Sequence, residues 1–302
     1  MTVDVLDGLA HLHTGKVRDL YAVAGDRLLL VASDRLSAFD VVMAEPIPEK
    51  GRVLTAMTSF WSEQLEGVAD SALLTCDPAA LDAAVPGFAS APWLAGRAML
   101  SRRAQMVPLE CIVRGRLAGQ AFAEYRASGT IHAMPAPRGL ELTDPLPEPM
   151  FTPSTKAAVG HDVNISFDEA CAIVGPSLAT RIRALCLAIF EVAARRVEAA
   201  GLVLADTKFE VGLIDGELVL CDEVVTPDSS RLWPAGEIVR GAVPPAFDKQ
   251  PFRDWLAAQP WDRTPPPPHI PNEVVEATSR RYVEAYERVT GRSLDDWYGH
   301  AS

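Results

Sequence analysis

The stretch DTKFEVGLIDGELVLCDEVVTPDSSRLW, residues 206–233, decides how the rest of the chain is read. Two apolar runs, residues 211–214 and 218–220, flank Asp215 and Gly216. An Asp-Gly pair between such runs predicts a hairpin closed by a type I′ turn, which needs φ > 0 at both central residues. Charges gather at the open ends: Asp206, Lys208 and Glu210 on the first strand, Asp222 and Glu223 on the second. Carboxylates at the end of an otherwise apolar hairpin are either solvated or aimed at a cation. Mg²⁺ suits such a pair, because it takes one or two carboxylates and shares its other positions with phosphate and water.

Outward from the hairpin, composition narrows the classes. The 302 residues are 48% hydrophobic and 23% charged, ordinary for a water-soluble globular chain with a substantial core. No apolar run spans a bilayer, and the opening MTVDVLDGLAHLHTG lacks a signal-peptide pattern. The five scattered cysteines, never in a CxxC pair, fit a reducing cytoplasm without structural zinc. A net charge of −12 argues against nucleic acid or an anionic membrane as partner. Only five of the 28 cations are lysines: Lys16, Lys50, Lys156, Lys208 and Lys249. Each sits in a loop-like or strand-end context beside Gly, Pro, Thr or Asp, where a compact ammonium serves as a point charge for phosphate.

Several loops carry further candidates. Residues 12–23 and 28–32 read as strands around Ala24-Gly25-Asp26, with Gly15-Lys16 a glycine loop suited to lie over phosphates, though neither a P-loop nor a GxGxxG. Ser37 and Asp40 suit helix capping or ligand contact. Met106-Val107-Pro108 is an apolar extended link whose backbone could read an adenine edge. Glu110, Ile112 and Arg114 share one strand face, where the Glu and Arg are candidates to pair with each other. FTPSTK, residues 151–156, collects hydroxyls and one lysine, a phosphate-like composition, and Asp168 is a candidate N-cap. Residues 179–200 read as a long amphipathic helix stopped by Gly201, and residues 272–290 as a last one stopped by Gly291.

Nine segments in order resemble one family, the SAICAR synthetases of purine biosynthesis: GKVRDLY (15–21), SDRLSAFDVVM (33–43), IPEKG (47–51), MVPLECIVRG (106–115), FTPSTKA (151–157), NISF (164–167), ADTKFEVG (205–212), DEVVTPDSSRLWP (222–234) and FDKQPFRDWL (247–256). The resemblance implies an α+β fold of two lobes, antiparallel sheets flanked by helices, with ATP between the lobes as in ATP-grasp enzymes and protein kinases. Residues 1–105 would form the N-terminal nucleotide lobe, and 106–302 the C-terminal lobe with the hairpin, substrate loops and closing helices. The implied reaction is ATP-dependent ligation of L-aspartate to carboxyaminoimidazole ribonucleotide through an acyl phosphate, in a cytoplasmic monomer or homodimer. The alternative is a paralogous ligase acting on a different small carboxylate.

By the same resemblance, Lys16 and Arg18 lie over the ATP phosphates, Met106 reads adenine, and Glu110 belongs to the nucleotide side. Glu210 and Asp222 hold Mg²⁺. Lys208, Asp40 and Arg114 are the implied catalytic groups, Lys208 neutralising the transferred phosphoryl group. Arg114, Asp228, Ser230 and Arg231 hold the ribonucleotide, and Ser37, Asp40, Lys50, Lys156 and Lys249 line the substrate side. The chain departs from the family pattern at Gln120, in place of a serine, and at Val163.

The shared metal carries a geometric condition. Around a two-residue turn, position 210 pairs with 221 and 209 with 222, which points Glu210 and Asp222 to opposite faces. The expectation is therefore a three-residue connection or a bulge between them, and a regular ladder around a two-residue turn would sink the shared metal.

Overall fold

The computed structural model describes residues 9–39, 41–156, 162–247 and 249–298. Its first sheet has five antiparallel strands in the order Ala10–Thr14, Arg18–Val23, Arg27–Ala32, Ala98–Arg102 and Leu73–Thr75. The expected single strand over 12–23 is broken at residues 15–17, where the Gly15 N–H donates to the Arg18 carbonyl at 2.7 Å.

The second sheet is built on the strand Leu202–Ile214. Its first half lies between Leu109–Arg116 and Ser230–Pro234, and its second half between Gln105–Met106 and Glu217–Cys221. The long strand exists because residues on one side are apolar: Phe209 and Val211 are buried in the main core. The helix Pro176–Ala199 covers that side with Ile182, Cys186, Ile189 and Ala193. Gly201 (φ +73) stops this helix in the left-handed conformation and turns the chain straight into the strand. The preceding short helix, Phe167–Val174, is capped by Ser166 in a capping box with Glu169, not by Asp168, which falls inside the first turn.

The expected cut at 105/106 falls within the strand Gln105–Met106 of the second sheet, and one core spans both sides of it. The helix Lys50–Gln64 puts Val53, Leu54, Met57, Phe60 and Trp61 into the same core as the second sheet and the helix Asn272–Thr290. A smaller core of Tyr21, Leu29, Val31, Leu81, Leu94 and Leu100 lies under the first sheet. The sheets also meet through backbone: Leu220 donates to Asp70 (2.8 Å) and accepts from Ala72 (2.9 Å). No helix among the described residues is long and apolar enough to cross a membrane.

The hairpin turn is as expected. Asp215 and Gly216 have φ of +52 and +83, and Ile214 pairs with Glu217. The expected irregularity is not there: the ladder runs regularly from Ile214–Glu217 to Glu210–Cys221. Asp222 lies one residue past the last rung with φ +54, so the strand has ended before it and the alternation no longer dictates its direction.

Candidate active site

Successive side chains of a strand alternate, so Asp206, Lys208 and Glu210 share the face opposite the core. Glu110, Ile112 and Arg114 do the same on the neighbouring strand. The register sets Asp206 directly opposite Arg114 on one side and Arg231 on the other. Both guanidiniums bond the same oxygen, Asp206 Oδ2, Arg114 at 2.5 Å and Arg231 at 2.6 Å. Two cations around one carboxylate leave a net positive charge, an arrangement suited to an anion.

Glu110 and Arg114 share their face but do not pair with each other. Each finds its partner across the strands instead: Lys208 Nζ lies 2.9 Å from Glu110 Oε2 and 2.5 Å from Glu210 Oε1. Lys156 pairs with the other oxygen of Glu210. Burial works to lower the Lys208 pKa, but Glu210 and Glu110 outweigh it and raise it, so the ammonium is permanent. Burial pushes Glu210 up, yet Lys208 and Lys156 hold it below the usual carboxylate range.

Two cavities flank this face. The larger, about 410 Å³, is lined by Arg114, Gln120, Lys208, Ser229, Arg231 and Arg253 among others. Its wall requires glycine at one point: Gly119 has φ +55, and a Cβ there would lie 2.3 Å from an Arg231 nitrogen. The smaller, about 220 Å³, has an apolar wall of Leu20, Leu28, Leu30 and Met106 and a charged end of Arg18, Lys156, Glu210 and Asp222. It takes residues from both sheets, and its lining joins an apolar wall to an ionic end.

The donor set at that end fits a divalent cation shared with phosphate. Glu210 and Asp222 line the one cavity despite the regular ladder, because Asp222 has left the strand. Burial and the nearby Glu223 and Glu210 carboxylates push the Asp222 pKa up against the pull of Arg18 and Lys208, so the site gains from added positive charge. Arg18, itself buried, already answers Asp222 at 3.0 Å and Glu223 at 3.6 Å. Among the described residues no group of three or more His, Cys, Asp or Glu could hold a metal unaided. A cation here would take its other oxygen ligands from water or a nucleotide.

Other expected residues stand elsewhere. Lys50 and Asp228 form a buried ion pair, with Nζ and Oδ2 2.6 Å apart, and Lys249 (3.2 Å) and the Tyr282 hydroxyl complete the carboxylate's partners. Of the described residues lining the two cavities, none is Lys50, Asp228 or Lys249. Ser230 turns inward to Thr207 Oγ1 at 2.8 Å, so by alternation Ser229 and Arg231 face the larger cavity. Lys156 lines the smaller cavity, not the larger one. Lys16 is exposed on the loop before Arg18, and Ser37 is half-buried in a small hairpin whose neighbours Ala38 and Phe39 line the larger cavity. Asp40 lies outside the described residues.

Residues of the larger cavity that the sequence did not single out include Phe39, Thr207, Ser229 and Arg253. Ser229 was recoverable from its i+2 relation to Arg231. Arg253 was recoverable as a cation one helical turn after Lys249 in Gln250–Ala257. Phe39 (φ +50) carries no comparable signal.

The family profile for SAICAR synthetase matches residues 11–268. The phosphoribosylaminoimidazole-succinocarboxamide synthase of Syntrophobacter fumaroxidans is 47% identical over 289 residues, covering 95% of each chain. That of Saccharopolyspora erythraea is 50% identical over 290 residues, covering 94% of each. Among solved structures, the SAICAR synthase of Saccharomyces cerevisiae in complex with SAICAR superposes with a TM-score of 0.86 at 38% identity, covering 97% of this chain and 98% of the other.

Proposed function

The chain belongs to the SAICAR synthetase family, and we propose that it carries out that family's reaction with ATP in the smaller cavity and the ribonucleotide in the larger. It is an ATP-dependent ligase of purine biosynthesis, joining L-aspartate to carboxyaminoimidazole ribonucleotide and releasing SAICAR, ADP and phosphate. One observation carries the assignment of the cavities. Lys208 lines the larger cavity while its Nζ touches Glu210, which lines the smaller one. A permanent cation thus stands at the junction that a phosphoryl group must cross.

A carboxylate is a poor electrophile for an amine. In the proposed route one oxygen of the ribonucleotide carboxylate attacks the γ-phosphorus and ADP departs. The aspartate amine then attacks the acyl carbon, loses a proton, and phosphate leaves with the oxygen that had bonded it. Phosphoryl transfer depends mostly on positioning and charge neutralisation. Lys208 neutralises the transferring group, and Arg114 and Arg231 orient the anionic ribonucleotide. Leu20, Leu28, Leu30 and Met106 receive the base, and Arg18 and Lys156 meet the phosphates. Glu210 and Asp222 would hold Mg²⁺, which when bound supplies charge neutralisation at the phosphates. Five free cysteines support a reducing, cytoplasmic setting.

The test supplies purified protein with ATP, Mg²⁺, aspartate and ribonucleotide labelled with ¹⁸O in its carboxylate. SAICAR and ADP should form in equal amounts, and inorganic phosphate should gain one labelled oxygen. Unlabelled phosphate removes the acyl phosphate. Turnover only with another carboxylate makes the chain the paralogous ligase, the reading for which Gln120 in the larger cavity speaks.

A further inference from the structure

Behind Arg114, on the side away from Asp206, sits a histidine that neither the family motifs nor the proposed chemistry uses. His132 is fully buried. With Ala133 it forms the two-residue turn of a small hairpin, in which Ile131 pairs with Met134. Both turn residues are left-handed, with φ of +48 and +56. Such a turn favours Asn-Gly, so a buried histidine there calls for a reason in its side chain.

The ring has two partners. Nδ1 lies 2.7 Å from the carbonyl oxygen of Pro153, and Nε2 lies 3.3 Å from Arg114 Nη2. A carbonyl only accepts, so Nδ1 bears the hydrogen. The guanidinium only donates, so Nε2 is the bare acceptor. One neutral tautomer satisfies both contacts. Burial and the Arg114 charge agree with this, lowering the His132 pKa to about 4.

The turn is itself braced. Glu124 Oε1 accepts from the Ala133 N–H at 2.8 Å and the Thr130 hydroxyl at 2.9 Å, and Glu124 Oε2 accepts from Asn164 at 3.0 Å. Glu124 lies on the helix Gly119–Ser128, whose first turn brings Gln120 to the larger cavity. The histidine is therefore held on the same scaffold as the cavity wall.

We propose that His132 is the positioning residue for Arg114, fixing the guanidinium that meets the ribonucleotide's anionic group without cancelling its charge. Arg114 donates to Asp206 through Nη1 and to His132 through Nη2, so its plane is set from two sides. A carboxylate in place of the histidine would fix the same plane but bring the Arg114–Asp206–Arg231 group from a net +1 to zero. A neutral acceptor keeps the positive charge for the ligand, as an outer partner orients a metal-bound ligand. This rests on the proposed reading that Arg114 and Arg231 bind the ribonucleotide.

Two variants separate the turn from the contact. Asn is at home at φ > 0 but too short to reach Arg114, so His132→Asn keeps the turn and loses the bond. His132→Gln places an amide oxygen near the Nε2 position. Losing a hydrogen bond to a charged group predicts that His132→Asn raises the KM for the ribonucleotide roughly tenfold or more. The KM values for ATP and aspartate should stay within about twofold, as set by error of comparison rather than a lost contact of that size. His132→Gln should recover most of the loss, with both melting temperatures near wild type. Should the asparagine variant not fold, His132→Phe against His132→Gln makes the same comparison.

Arg114→Met is the control. If it raises the ribonucleotide KM while His132→Asn does not, the inference is overturned and the cavity assignment stands. If Arg114→Met also leaves that KM unchanged, the cavity assignment fails and takes the inference with it. Equal losses in all three KM values with a lowered melting temperature, unrelieved by glutamine, reduce His132 to a fold-holding residue and overturn the proposal.

Discussion

Lys50 Nζ lies 2.6 Å from Asp228 Oδ2, with the two side chains 0% and 3% exposed. The pair joins the first residue of the helix Lys50–Gln64 to the loop before Ser230–Pro234, and Lys249 and Tyr282 tie in two more segments. Asp228→Asn leaves two ammoniums facing a neutral amide and should destabilise the protein by about 3–5 kcal/mol. Lys50→Met should cost less, because Asp228 keeps Lys249 and Tyr282 and the thioether fills the space. Urea unfolding of both variants checks the order; a milder asparagine variant would show that the cluster does not brace the fold.

The same pair predicts an alkaline effect. Burial lowers the Lys50 pKa to about 8, with Asp228 pulling the other way and Lys249 adding to the fall. The unfolded lysine holds its proton until about pH 10.5, so between these values the unfolded state binds more protons and stability rises with pH. The gain amounts to about 3 kcal/mol at most. Buried thiols such as Cys76, raised to about 12, act oppositely above pH 9, so the wild-type curve alone mixes the two. The readout is the difference between wild type and Lys50→Met, which should widen in favour of wild type from pH 8 to 10.5. A constant difference would refute the shifted lysine.

Glu210→Gln and Asp222→Asn test the cation site without disturbing the hairpin. Asn tolerates the left-handed conformation that Asp222 adopts, and glutamine in place of Glu210 keeps the size of the side chain. Each should lower Mg²⁺-dependent turnover by on the order of a thousandfold, since charge neutralisation carries most of phosphoryl transfer. Each should also weaken Mn²⁺ binding in the presence of a non-hydrolysable ATP analogue, read by electron paramagnetic resonance. Near-normal turnover in either removes that residue from the site.

Much of this site was legible where chemistry follows local pattern. Asp215-Gly216 announced the hairpin, and strand alternation put Asp206, Lys208 and Glu210 on one face. The parity argument at Asp222 failed because nothing in CDE shows that the strand ends at Cys221 and the next residue turns left-handed. Lys50 belongs to the substrate side by resemblance; its partner Asp228 lies far away in sequence, and only packing reveals that both are buried. Ser230 is a ribonucleotide candidate by resemblance, but its bond to Thr207 turns it inward while Ser229 lines the larger cavity, a pairing the sequence does not show. Lys156, expected on the substrate side, lines the smaller cavity: a loop's composition suggests phosphate, but its placement beside Glu210 is set by the short pairing of Ser154–Thr155 with Leu109 and Glu110.

Lys156 yields the last prediction. Its ammonium pairs with the Glu210 oxygen turned away from Lys208, on one of the two carboxylates that fit a cation, and its side chain is 39% exposed. It therefore competes with a divalent ion for Glu210 when no nucleotide is bound, while in the ATP complex it can turn to the phosphates. An ion pair open to solvent on the lysine side contributes on the order of 1 kcal/mol, so Lys156→Met should tighten Mn²⁺ binding to the nucleotide-free protein by about fivefold. The same change should raise the KM for ATP, because a phosphate partner is lost. Titration of Mn²⁺ with and without nucleotide separates the two effects. Tighter metal binding with an unchanged KM for ATP would leave Lys156 as a mere occupant of the cation's place, and unchanged metal binding would show that Glu210 is not where the ion competes.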